Sequence, residues 1–207
     1  MTSAGENFLF LGNEPALDLL NTTPVLAQGP VDFLEDFADL TAWMSAVGLL
    51  EEFKAKTLRR RWHGTREANA VVAQAKQLRE ALREVLAAKL SGAKMPGGAL
   101  GILNDALGIE KTTSQIEWNE KAGSFTRTFL HACDGTPAQV VAILAEAAAH
   151  LLTEKDLTLV RRCENPACVL HFYDTSKNHR RRWCSMDICG NRMKVAAHYR
   201  RQRGGGQ

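Results

Sequence analysis

Apolar residues recur along this chain mainly at helical spacing. A short helix is expected within Asn13–Asn21, with Ala16, Leu17, Leu19 and Leu20 as its apolar content. Pro24 and Gly29-Pro30 then break the chain. Phe33, Phe37, Leu40, Met44 and Val47 repeat at threes and fours, which predicts a helix from Asp32 with Asp32 as N-cap and Glu35 as its partner three residues on. The longest stripe is Val71, Ala75, Leu78, Leu82, Val85 and Leu90; it predicts a helix from Arg66 to Leu90, ended by Gly92. A loop at 94–98 and a short helix over Leu100–Leu107 follow. Alternation over Thr112–Asn119 and Ser124–Leu130 predicts a hairpin. Thr136-Pro137-Ala138-Gln139 reads as a helix start, and Val140, Val141, Leu144, Ala147 and Leu151 carry that helix to Thr153. Such stripes ordinarily mark a packed core, with no ligand implied.

Composition narrows the class. The chain has 207 residues, 45% of them hydrophobic and 24% charged. That is a globular balance, and the length suffices for a core without disulfide staples. No apolar run nears the ~20 residues of a spanning helix, so a membrane partner is not expected. The first twenty residues lack a basic n-region and are a poor signal peptide. A cytoplasmic location follows as an expectation.

The net charge of +3 hides a division. Residues 1–154 hold fourteen Lys and Arg against nineteen Asp and Glu, a balance of −5; residues 155–207 hold twelve against four, a balance of +8. An acidic body with a basic appendage suggests contact with an anionic polymer, although a solvated basic surface would look the same.

Four of the five cysteines fall in the basic part. Cys163 and Cys168 form a C-x4-C pair, fifteen residues intervene, and Cys184 and Cys189 form a second C-x4-C pair. Two short pairs joined by a medium loop suit a tetrahedral four-thiolate site, with zinc (Zn2+) the best candidate and iron the alternative. His171, His179 and His198 lie nearby as spare ligands. Cys133 stands apart and reads as a small buried hydrophobe.

Between the pairs lie Ser176, Lys177, Asn178, Arg180, Arg181 and Arg182, a mixture suited to phosphate contacts. After Cys189 a basic helix is expected over Arg192–Arg203. Lys194, His198 and Arg201 share one face, with Arg192 and Arg200 adding charge. Such a helix could enter a DNA major groove or lie along a phosphate backbone. Trp183 reads first as a cap over the metal core and second as a stacking platform.

The stretch CENPACVLHFYDTSKNHRRRWCSMDICGNRMKVAAHYRRQR closely resembles the CGNR zinc finger, named for the motif found here at Cys189–Arg192. Upstream, Phe10-Leu11-Gly12-Asn13 with Ala16–Thr22 is similar to the opening motif of the ABATE domain, which precedes this finger in bacterial stress-induced transcription regulators. The resemblance implies a mainly α (α+β) protein. It would have a helical domain over 1–154 with a β-hairpin, a treble-clef-like four-cysteine finger over 155–203 ending in the basic helix, and a tail at 204–207. It also implies zinc as cofactor and nucleic acid, double-stranded DNA first, as partner. Asn13, Asp18 and Asn21 would then either line a pocket for a small-molecule effector or cap the helix and fix the following turn. The N-terminal domain would sense a ligand or form a homodimer.

An RNA-binding zinc module uses the same charges and is the alternative. An enzyme is not expected, because the chain has no phosphate-binding glycine loop, no His-Glu-x-x-His and no nucleophile elbow. His63, His131 and His150 are scattered.

Overall fold

Helix α4 (Arg66–Ser91) is the axis of the helical body. Thr65 caps its start by accepting from the Ala68 amide, and Gly92 ends it in the left-handed region at φ 69°. Its buried stripe, which includes Val71, Ala75, Leu78, Leu82, Val85 and Leu86, packs against α1 (Pro15–Leu20), α2 (Phe37–Ala46), α5 (Gly97–Leu107) and α6 (Ala138–Glu154). The computed structural model describes residues 8–109, 112–119, 124–131 and 135–204, with side chains within 8–109, 135–199 and 201–202. Cys133, expected as a buried hydrophobe, lies outside the described residues. The fold is mainly helical with small two-stranded sheets.

The second helix starts later than its apolar pattern suggests. Asp36, not Asp32, is the N-cap. Its side chain accepts from the Ala38 and Asp39 amides while Asp39 returns the bond to the Asp36 amide. Asp32 instead takes a bidentate pair from the buried Arg79, both contacts at 2.8 Å. Burial pushes the Asp32 carboxyl upward, but the Arg79 guanidinium outweighs it and holds the group below the usual range. Helix α3 (Glu52–Trp62) lies beyond what the apolar pattern predicts: it buries only Ala55 and Leu58, with Trp62 half-buried at its end, a stripe of three among six charged residues. Helix α6 runs from Ala138, with Pro137 already in helical conformation.

Three antiparallel ribbons complete the described chain. β1 (Val25–Leu26) pairs with β2 (Gly29–Pro30); β3 (Thr112–Asn119) pairs with β4 (Ser124–His131), Thr112 opposite His131; β5 (Val160–Arg162) pairs with β6 (His171–Tyr173), Arg162 opposite His171. No helix among the described residues is long and apolar enough to cross a membrane.

Two cores result. The larger lies among α1–α6 and holds Phe37, Trp43 and most of the leucines. The smaller holds Leu170, Phe172 and four cysteines, with Leu9, Leu11, Val169 and Trp183 against it. The smaller core therefore draws on both ends of the chain.

Candidate metal centre

The first cysteine pair sits in the turn between β5 and β6. The Cys163 amide donates to the Leu170 carbonyl at 2.9 Å, closing the hairpin behind the turn. Asn165 shapes the turn: its side chain accepts from the Ala167 amide, and its carbonyl accepts from the Cys168 amide at 2.8 Å. Of the second pair, Cys184 precedes and Cys189 lies within a π-helical turn, Met186–Gly190, which runs directly into α7 (Asn191–Gly204). Ser185 caps that turn through the Ile188 amide. Gly190 is confined by the Met186 side chain, whose sulfur would lie 2.4 Å from an added Cβ.

All four sulfurs are buried and lie within 4.8 Å of one another. Cys168 and Cys184 are 3.8 Å apart, Cys184 and Cys189 3.6 Å. A disulfide needs about 2.05 Å, so these are thiols. A tetrahedral site with metal–sulfur bonds of about 2.3 Å has sulfur–sulfur edges of about 3.8 Å. The spacing thus matches a soft, four-coordinate metal ion, and the donor set is closed to a fifth protein ligand.

The electrostatics favour a cation once the cysteines ionise. A hydrogen bond from the Cys184 thiol lowers Cys168 to about 5. Cys184 is pushed well up, first because it donates that bond and then because it is buried beside other sulfurs. Burial likewise raises Cys163. One thiolate is tolerated and four are not, unless a divalent ion offsets their charge. Two further donors point at the sulfurs: the Cys184 backbone amide at Cys163, 3.5 Å, and the Asn165 side-chain Nδ2 at Cys189, 3.4 Å. Asn165 is 4% exposed and links the two cysteine turns; only its place inside C-x4-C hinted at this.

The histidines stand apart from the ligand cluster. His179, at φ 49°, directs Nδ1 to the Asp174 carbonyl. His171 lies on β6 and is held near pKa 4 by burial, then by the Arg83 and Arg162 charges.

Asp174 organises the loop before the second pair. It is fully buried and accepts from the Ser176 hydroxyl, the Ser176 amide and the Arg181 amide, with Arg161 at 3.4 Å. Burial alone would raise its pKa; these donors hold it below the usual range. Ser176 is therefore part of the scaffold. Arg181 is too. Its guanidinium lies 4.2 Å over the Phe172 ring and donates to the carbonyls of Trp183 (3.0 Å), Leu11 (3.2 Å) and Cys184.

Asn13, Asp18 and Asn21 clasp the finger to the body. Asn21 exchanges two 2.9 Å bonds with the His171 backbone, so its amide extends the β6 ladder. Asn13, at φ 62°, donates to the Tyr173 carbonyl at 2.9 Å. Buried Asp18 accepts from the Gly12 amide, and the Gly12 carbonyl accepts from Tyr173 at 2.7 Å. Gly12 must be glycine here, because a Cβ would lie 2.8 Å from the Asp18 nitrogen. The side chains of Asn13 and Asn21 thus bond the finger backbone, and that of Asn21 also bonds Asp18 on α1.

The remaining basic candidates face outward. Lys177, Asn178 and Arg180 are exposed on one loop. Arg182 is exposed, pairs with Glu164 at 2.6 Å and covers the half-buried Trp183 at 5.0 Å. On α7, Arg192, Lys194, His198 and Arg201 are exposed; Arg200 lies in the helix, but its side chain is outside the described set. Lys177, Arg180, Arg192, Lys194 and Arg201 form no ion pair among the described residues.

Comparison with known families gives two matches in chain order. The ABATE family model, described as "Putative stress-induced transcription regulator", matches residues 13–155. The CGNR zinc finger model matches residues 160–202. No curated protein matches the chain.

Proposed function

The chain belongs to the ABATE family and carries a CGNR zinc finger, and from that premise we propose that it is a zinc-loaded transcription regulator that binds double-stranded DNA through α7 and the Lys177–Arg180 loop. It acts by binding, without catalysis, in the reducing cytoplasm where four free thiolates can hold their metal. Zinc is the preferred ion because a closed, buried, four-sulfur tetrahedron suits a structural d10 cation.

One observation carries the reading. α7 leaves the second cysteine turn with Arg192, Lys194, Val195, Ala196, His198 and Tyr199 all exposed, and only Met193 and Ala197 half-buried. A helix this exposed all round contributes little to a core. At fourteen residues it is also marginal on its own. A polyanion alongside would order it and neutralise its charge.

The test is selection of genomic duplexes by the zinc-loaded chain, followed by anisotropy titration at several salt concentrations. A selected duplex should bind at least ~10³-fold more tightly than random duplex. Equal, weak binding to every sequence would defeat specific regulation. A strong preference for single-stranded RNA would move the reading to an RNA-binding module.

A further inference from the structure

A cavity of about 600 Å³ lies where α4 meets the finger hairpin. Its polar end is formed by Arg83 from α4, Arg162 from β5 and His171 from β6; Ala87, Leu90 and Val169 form its apolar wall. No Asp or Glu lines it. Its size is that of small-molecule sites, and its lining has their usual form of an apolar wall with a few converging polar groups.

The cationic end is held in place. Arg83 donates to the Leu20 carbonyl at 3.1 Å and to the Thr23 hydroxyl at 2.8 Å, and Glu80 pairs with its other nitrogen. These bonds fix its guanidinium against the cavity. Arg162 is exposed and forms no ion pair among the described residues. His171 stands opposite it across the hairpin, its backbone gripped by Asn21. Arg83 already has Glu80 as its counter-ion, so the uncompensated charge here is that of Arg162, with the neutral His171 imidazole beside it as a further hydrogen-bonding group.

We propose that this cavity binds a small organic carboxylate with an apolar body. The carboxylate would accept from Arg162, Arg83 and His171, and the body would cover Ala87, Leu90 and Val169. A small anion is favoured over a duplex backbone, because Arg83 and His171 are half-buried between α4 and the finger hairpin. The walls come from both halves of the chain, so an occupant tightens the docking of the finger on the body. The inference rests on the cavity alone and does not depend on whether the finger reads DNA.

The test uses the full, zinc-loaded chain, with 1-naphthoate as probe and the neutral 1-naphthalenemethanol as its control. Amide resonances are followed by ¹H–¹⁵N correlation spectra. Naphthoate should shift Thr23, Ser91, Val169 and His171 at submillimolar concentration. The alcohol should bind about tenfold more weakly, as expected for loss of a charge-assisted bond. Arg162→Glu should weaken naphthoate by at least about tenfold with the rest of the spectrum unchanged, and Arg162→Gln by a smaller factor. Unmoved cavity amides at millimolar naphthoate, equal binding of the alcohol, or unchanged affinity in Arg162→Glu would each overturn the proposal.

Discussion

The helical body buries Phe37, Trp43 and a field of leucines, whereas the finger buries Leu170, Phe172 and four sulfurs. The body can draw on apolar area for its stability. The finger has few such side chains, and a metal on its four sulfurs would supply the difference. The finger also borrows. Leu9 and Leu11 complete its apolar packing, and Asn13 and Asn21 extend its hairpin. One part has a large core of its own, and the other leans on its neighbour around a site suited to an ion.

Removing a sulfur should give the largest effect. Cys184→Ser breaks the tetrahedron, and structural zinc in small fingers contributes about 10–16 kcal/mol of folding free energy. Elemental analysis should show metal lost, and hydrogen exchange should show protection lost over 160–190 while α4 and α6 keep theirs. Loss of protection in α4 as well would mean that the body is not self-sufficient.

The reciprocal change is smaller. Trp43 is 1% exposed, and Trp43→Ala should cost the body about 3–5 kcal/mol. The metal-to-protein ratio should remain at one while the thermal midpoint falls. If the metal leaves with the tryptophan, the two cores form one cooperative unit.

Acid should act on the seam between the parts. An unfolded histidine titrates near 6.5, while folded His171 titrates near 4. Between those values the unfolded chain binds the extra proton, so stability is full above pH ~6.5 and falls as the pH drops, by at most about 3 kcal/mol. Asp18 works the other way. Burial raises its pKa, so the folded chain holds that proton more readily and stability rises as pH falls through its range. Urea midpoints from pH 7 to 4.5 should fall in the parent, and the fall should be shallower in His171→Gln. An identical slope in both would place the sensitivity elsewhere.

What the sequence discloses follows from how far apart the interacting groups lie. The cysteine pairs are legible because each turn is local and its spacing is set by the geometry of the ion. The long stripe of α4 is legible because its period is local too. Asp32 and Asp36 each have an acid three residues on, and nothing nearby decides between them; Arg79, forty-seven residues from Asp32, does. Asn13 and Asn21 have the residue types of caps, yet their partners lie 160 and 150 residues away. α3 hides because it buries little within, only Ala55 and Leu58, while Phe53 points outward among the charges.

The arginine run gives the finest form of the same lesson. Arg180 and Arg181 are neighbours of one type, and no reading of the run separates them. The fold does, turning Arg180 to solvent and Arg181 onto the Phe172 ring and the Leu11 carbonyl. Arg181→Ala should cost about 1.5–3 kcal/mol, since it strips a charged donor from three carbonyls and opens the packing between finger and N-terminal segment. Its effect on DNA binding should follow from that loosening and should be repaired by excess zinc or lower temperature. Arg180→Ala should change stability by less than about 0.5 kcal/mol. On DNA it should weaken every sequence alike and reduce the salt slope by about one, the signature of a single phosphate contact. A normal salt slope in Arg180→Ala would remove the loop from the contact surface and leave α7 alone to carry the charge.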